Sequence, residues 1–184
     1  MTPKFRYWFC KDVYNSSQIK QLNKLINKEI KKGRLEGSDN PARLATKTSK
    51  VHIIDYAPLR HALMPFEKNA FFANEMNFNY TLYPISNKNV NYNIYNPGTE
   101  YTWHVDKDVT AQYDMKLTCL LNLSEKPFKG GEFLIFEGVE YVVEELNKPG
   151  SMIIFPSFMN HKVNPIKSGQ RRTLTLWLNG PKFQ

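Results

Sequence analysis

The sequence predicts a mostly β, α+β protein in which a helix layer packs on a double-sheet β-sandwich or jelly roll. Three observations carry this. Helical periodicity is confined to the first part of the chain. From residue 78 onward, short runs of β-type residues recur between turn signals. The length of 184 residues leaves room for one well-cored domain and hardly for two. A single domain is therefore expected over 1–184, with a helical part at about 1–77 and a β core at about 78–180.

After "YNSS" at 14–17, Ile19, Leu22, Leu25, Ile26 and Ile30 recur at helical spacing, with Lys20, Lys24, Lys28, Lys31 and Lys32 on the other side. This is an amphipathic helix, expected to be capped by Ser16 or Ser17 and to end at Gly33. Residues 33–50, "GRLEGSDNPARLATKTSK", carry two glycines and a proline without periodicity and read as a long loop, expected to be functional or mobile. "VHIID" at 51–55 reads as a strand; Pro58 and Pro65 punctuate the next segment, and 66–76 reads as a helix. Strands are then expected at 78–83, 90–95, 100–106, 115–123, 132–136, 140–144, 151–155, 160–164 and 171–178. "NPG", "KGG", "NKPG" and "KSG" provide the turns, and Gly130 and Gly131 are expected to have a backbone role there.

Composition narrows the class. Hydrophobic residues at 41% and aromatics at 14% describe a globular chain. No run approaches the ~20 apolar residues of a membrane span, and the N-terminus lacks the apolar core of a signal peptide, so a cytoplasmic protein without a membrane partner is expected. Cys10 and Cys119 are expected as free buried thiols. The net charge of +8 falls in the first half: residues 1–88 hold 15 Lys/Arg against 7 Asp/Glu, and residues 89–184 hold 10 against 10. A solubilising helix face is the plain reading of that excess, attraction of nucleic acid or an acidic partner the alternative.

Chemistry concentrates around "YTWHVD" at 101–106. Strand alternation puts Thr102, His104 and Asp106 on one face and Tyr101, Trp103 and Val105 on the other. The preceding strand offers a polar row at Asn91, Asn93 and Tyr95, which is costly inside a sandwich unless it serves a site. His161 follows the apolar run "SMIIF". Two histidines and one carboxylate with open positions form the facial triad of non-haem Fe(II) oxygenases, whereas structural zinc would need a fourth ligand that the sequence does not offer. In "GQRRTLTLWL", Arg171, Thr173, Thr175 and Trp177 share one strand face and Arg172, Leu174, Leu176 and Leu178 the other. One arginine thus enters the sandwich, and its planar fork suits a carboxylate. Arg171, beside the threonines, is the expected one. His52 and His61 stand apart from the pattern.

"YNPGTEYTWHVD", "GGEFLIF" and "KPGSMIIFPSFMNHKVNPIKSGQRRTLTLW" together resemble the 2-oxoglutarate- and Fe(II)-dependent dioxygenases, in particular the prolyl 4-hydroxylase-like branch and its bacterial and viral members. The resemblance covers roughly 78–178 and implies a double-stranded β-helix of eight strands, cupin-like, flanked by the helix layer. It implies His104, Asp106 and His161 as iron ligands, Arg171 for the distal carboxylate of 2-oxoglutarate, and Tyr95 as a hydroxyl in the same pocket. Asn122 stands where some relatives have a tyrosine; it and Thr173 are expected cofactor contacts, and Tyr101 and Trp177 expected substrate contacts. The implied activity is hydroxylation of a protein or peptide side chain, prolyl first, with ascorbate as an optional reductant. A dioxygenase acting on nucleic-acid bases or a small metabolite, and a non-catalytic metal-binding jelly roll, remain the alternatives. In the resemblance, the loops at 33–50 and 107–114 flank the site and close over a peptide.

Overall fold

The structure is a computed structural model that describes residues 3–32, 46–85, 89–108 and 111–183. In chain order its strands are β1 (Trp8–Cys10), β2 (Lys50–Asp55), β3 (Asn89–Tyr95), β4 (Tyr101–His104), β5 (Asp114–Asn122), β6 (Lys129–Gly130), β7 (Phe133–Phe136), β8 (Glu140–Val142), β9 (Met152–Pro156), β10 (Asn160–Val163), β11 (Ile166–Ser168) and β12 (Arg171–Gly180). Its α-helices are α1 (Ser16–Ile30), before β2, and α2 (Arg60–Ala73), between β2 and β3.

Two antiparallel sheets face each other. The larger has the order β1-β9-β5-β12-β3-β2 and the smaller β4-β10-β7-β8, while β6 and β11 form a separate two-stranded ribbon. This is the jelly roll expected from the strand pattern. The larger sheet is buried on both faces, and side-chain alternation assigns each residue to a layer. Leu121, Ile154, Leu174 and Leu176 pack toward Leu22, Ile26, Leu63 and Phe66 of the helices. Their neighbours Leu120, Ile153 and Phe155 face Phe133, Ile135 and Val163 of the smaller sheet. Each such fully buried side chain contributes roughly 1.5–3 kcal/mol of transfer free energy, and together they set the sheet separation into which polar residues can be placed.

Several expectations are corrected in detail. The cap of α1 is Asn15, whose Oδ1 accepts from Gln18 N–H at 3.0 Å while Gln18 Oε1 accepts from Asn15 N–H at 2.9 Å. That reciprocal pair satisfies two end donors at once, which a serine one residue later would not. Pro65 lies inside α2 rather than before it. A 3-10 turn at Ala57–Leu59 with Pro58 near its start leads into the helix, and packing of Leu63, Phe66 and Ala70 outweighs the lost proline N–H. The strand expected at 78–83 is absent: a π turn at Asn74–Phe78 ends at left-handed Asn79, and β12 already has β3 and β5 on its two edges. β1 is an addition to the expected strands, only three residues long. Residues 33–45 of the predicted loop, and 109–110 of the second, lie outside the described residues. No helix among the described residues is long and apolar enough to cross a membrane.

Candidate active site

Between the two sheets lies a pocket of about 120 Å³, lined from the larger sheet by Asn93, Tyr95, Arg171, Thr173, Thr175 and Trp177. The smaller sheet and the loop after β4 supply Tyr101, His104, Asp106 and His161. β4 and β10 are direct neighbours with His104 opposite His161, so pairing alone sets the two rings side by side, their centroids 4.0 Å apart. Asp106 follows the end of β4, where its N–H donates to Ser157 O at 2.9 Å and ties that turn to the end of β9. One ligand atom from each of His104, Asp106 and His161 lies within 4.8 Å of the others, a group that could hold a metal ion.

The hydrogen bonds around this group prepare it for a cation. His104 Nδ1 lies 2.7 Å from Thr102 O, and His161 Nδ1 lies 2.9 Å from Met159 O. A carbonyl only accepts, so each Nδ1 carries the proton and each Nε2 presents a lone pair toward Asp106. The Nε2 atoms stand 3.8 Å and 3.7 Å from the Asp106 oxygens. Burial first, then the neighbouring His161, pushes the His104 pKa down to about 3. Burial lowers that of His161 as well, against the pull of Asp106, and Lys47 adds to the lowering at both rings. Both imidazoles are therefore held neutral, and their approach to Asp106 is that of converging donor atoms rather than ion pairs. Asp106 Oδ2 accepts from Thr118 Oγ1 at 2.7 Å and from Trp177 Nε1 at 3.0 Å, which fixes the carboxylate plane.

Arg171 lies at the other end of the pocket, opposite Tyr95 across the β12–β3 ladder, 2% exposed, with its guanidinium carbon 5.3 Å from the Tyr95 ring centre. Among the described residues no carboxylate forms an ion pair with it, and burial lowers its pKa. A buried guanidinium without an anion is costly, so its place in a pocket points to an anionic ligand. Gly131 makes room for it: φ is +67°, and an added Cβ would fall 2.2 Å from Ile166 Cδ1 and 3.2 Å from Arg171 Cδ. Arg172, on the opposite face, pairs instead with Glu125 at 3.2 Å.

The structure thus brings together His104, Asp106, His161, Tyr95, Tyr101, Arg171, Thr173 and Trp177. It does not bring Asn122. That side chain is fully buried, donates to Leu146 O at 2.8 Å and Asn147 O at 3.2 Å, and accepts from Ser124 N–H at 2.9 Å. It holds the turn before β9, and its expected cofactor contact is withdrawn. Trp177, expected as a substrate contact, aims its N–H at Asp106. Sequence reasoning missed Thr118, although it shares its strand face with Leu120 and Leu120 lines the pocket. It also missed Lys47, which nothing in an unpatterned stretch marks out.

Residues 90–179 match the family model of the 2OG-Fe(II) oxygenase superfamily, a span that takes in His104, Asp106, His161 and Arg171. Over 83 residues, 44% of this chain, the sequence is 34% identical to a PKHD-type hydroxylase of Synechococcus sp. (strain CC9605) and covers 37% of that protein. The chain is similar in fold to a Pseudomonas putida prolyl-4-hydroxylase, with a TM-score of 0.73 and 20% identity, covering 97% of this chain and 95% of that one. It is also similar to a Trichoplax adhaerens prolyl hydroxylase solved with a hypoxia inducible factor oxygen degradation domain peptide fragment, with a TM-score of 0.70 and 15% identity over 95% of this chain and 84% of that one.

The two cofactors of that family, Fe(II) and 2-oxoglutarate, suit what the pocket offers. Three neutral or anionic donors converge at one end of the pocket, and the buried Arg171 guanidinium, which suits a carboxylate, lies at the other. The match to the 2OG-Fe(II) oxygenase superfamily model spans 90–179, just under half of the chain, and the fold as a whole is similar to that of the solved prolyl 4-hydroxylases.

Proposed function

We propose that this chain is an Fe(II)- and 2-oxoglutarate-dependent dioxygenase that hydroxylates a side chain of a protein or peptide, a prolyl residue first among them. The carrying observation is one pocket with the His104–Asp106–His161 group at one end and buried Arg171 at the other. In this reading His104 Nε2, His161 Nε2 and an Asp106 oxygen hold the metal, with Thr118 and Trp177 keeping the carboxylate oriented. Arg171, with Tyr95 and Thr173 beside it, takes the distal carboxylate of 2-oxoglutarate. When bound, the metal and 2-oxoglutarate would supply the oxidising power to insert one oxygen atom of O2 into a substrate C–H bond, with 2-oxoglutarate converted to succinate and CO2. The chain's own part is positional. Its sheets hold the triad inside one pocket, and the apolar wall of Leu120, Phe133 and Val163 offers no thiol or thioether to a strong oxidant.

Two facts support the peptide substrate: the prolyl hydroxylases similar in fold, and the peptide bound by one of them. The chain spans about two fifths of the curated relatives it matches, and the substrate is inferred from fold and site together. The test is succinate release with proline-containing peptides, oligonucleotides and free amino acids, followed by mass analysis for one added oxygen atom. Peptide-dependent release with oxygen on proline supports the proposal. Release driven by oligonucleotides or free amino acids alone would reassign the substrate.

A further inference from the structure

Lys47 enters the same pocket from a part of the chain that neither the motif nor the family match includes. Thr46 and Thr48 run beside β4: Thr102 N–H donates to Thr46 O at 2.8 Å and Thr48 N–H to Glu100 O at 3.0 Å. The chain then crosses to the larger sheet as β2, so Lys47 closes the gap between the sheets and turns inward at 7% exposure. Its Nζ donates to Asn93 Oδ1 at 2.8 Å and lies 4.4 Å over the centre of the Tyr101 ring, which in turn stacks on His104. Asn93 is itself held, donating to Thr175 Oγ1 at 3.1 Å, so the ammonium sits at a fixed place.

Register gives the level of that place. On β12 the inward residues run Arg171, Thr173, Thr175, Trp177, from the arginine to the residue that bonds Asp106. Arg171 pairs with Tyr95, and Thr173 pairs with Asn93, the partner of Lys47. Lys47 is thus one inward step, about 7 Å of strand, nearer the metal group than Arg171 is. The pocket carries two buried cations at two levels, a spacing comparable with the length of a five-carbon diacid. We infer that Lys47 is a second carboxylate contact, holding the 2-oxoglutarate carboxylate next to the keto group while Arg171 holds the distal one. Asn93 and Tyr101 are then positioning residues for Lys47. This inference rests on the proposed function, and it adds a residue from outside the matched span to the binding of the co-substrate.

The test is calorimetric binding to Mn(II)-loaded protein, which needs no turnover. The ligands are 2-oxoglutarate and 2-oxobutanoate, a 2-oxo acid without the distal carboxylate. Lys47→Met keeps the stem and removes the charge; it is expected to weaken both ligands by about tenfold or more, as loss of a charge-assisted hydrogen bond does. Arg171→Met is expected to weaken 2-oxoglutarate and leave 2-oxobutanoate unchanged. Lys47→Arg should recover part of the loss, and Mn(II) affinity and melting temperature should match the wild type, which a merely structural role would not produce. Wild-type binding of both acids by Lys47→Met overturns the inference, as does weakening of 2-oxoglutarate alone, which would move Lys47 to the distal carboxylate. Unchanged 2-oxo acid binding with weakened peptide binding also overturns it, assigning the lysine to the substrate. A wild type that binds Mn(II) but not 2-oxoglutarate would sink the functional reading itself.

Discussion

Tyr101 lies flat on His104, ring centroids 3.4 Å apart and planes 16° from parallel, although the residues are three apart on one strand. Strict alternation would set them on opposite faces. The ladder explains the difference: His161 pairs with His104, but Val163, two residues on, pairs with Tyr101, three residues back. β4 holds one extra residue there, and such a bulge returns Tyr101 to the pocket side. The stack restrains the imidazole ring. Tyr101→Ala should therefore weaken Fe(II) binding by several-fold to about tenfold while Tyr101→Phe preserves it, read by anaerobic metal titration. Equal affinities for all three proteins would show that the stack has no part in ligand orientation.

The two donors to Asp106 make a second prediction. Thr118→Val and Trp177→Phe each remove one hydrogen bond to Oδ2 without emptying the position. Each should lower metal affinity by roughly 10–100-fold, the usual effect of losing a group that orients a ligand. Substrate selectivity should not change, which separates this role for Trp177 from a direct substrate contact.

The paired arginines make a third. Arg171→Ala should raise the 2-oxoglutarate requirement by about tenfold or more while leaving Fe(II) bound, because a charge-assisted contact is lost. Arg172→Ala removes a half-exposed pair with Glu125 and should shift the requirement by less than about twofold. The contrast is measured as KM for 2-oxoglutarate in the two variants.

Asn122→Ala tests the reassignment of that residue. It leaves the Leu146 carbonyl and the Ser124 N–H without their buried partner, a loss of about 1–3 kcal/mol in stability. Denaturant unfolding should show that loss, and 2-oxoglutarate affinity in the folded variant should equal the wild type. A selective loss of 2-oxoglutarate binding at full stability would restore Asn122 to the pocket.

Much of the site was legible because it sits on strands with regular alternation. On β12, Arg171, Thr173, Thr175 and Trp177 do share the pocket face, as spacing by two requires. On β4 the same rule misplaced Tyr101, since a bulge depends on the partner strand and leaves no local mark. Asn122 has the correct parity, paired with Thr173, yet the turn at Glu144–Asn147 captures its amide, a contact between residues more than 20 apart. Lys47 was illegible for a similar reason: its inward turn is set by pairing with β4, in a stretch without periodicity of its own. The helices were legible as elements but not at their ends, where one side-chain hydrogen bond at Asn15 decides the first residue.

Everything proposed for the pocket depends on Fe(II) being held by His104, Asp106 and His161, and anaerobic Fe(II) titration of the wild type, His104→Ala and His161→Ala bears on that assignment without an intervening step. One Fe(II) per wild-type chain and far weaker binding by each variant are expected. Melting temperatures without metal should stay close to wild type, because the Leu, Ile and Phe layers that carry the core lie mostly outside the triad. Binding of Fe(II) at wild-type strength by both variants, with their folds intact, would overturn the assignment.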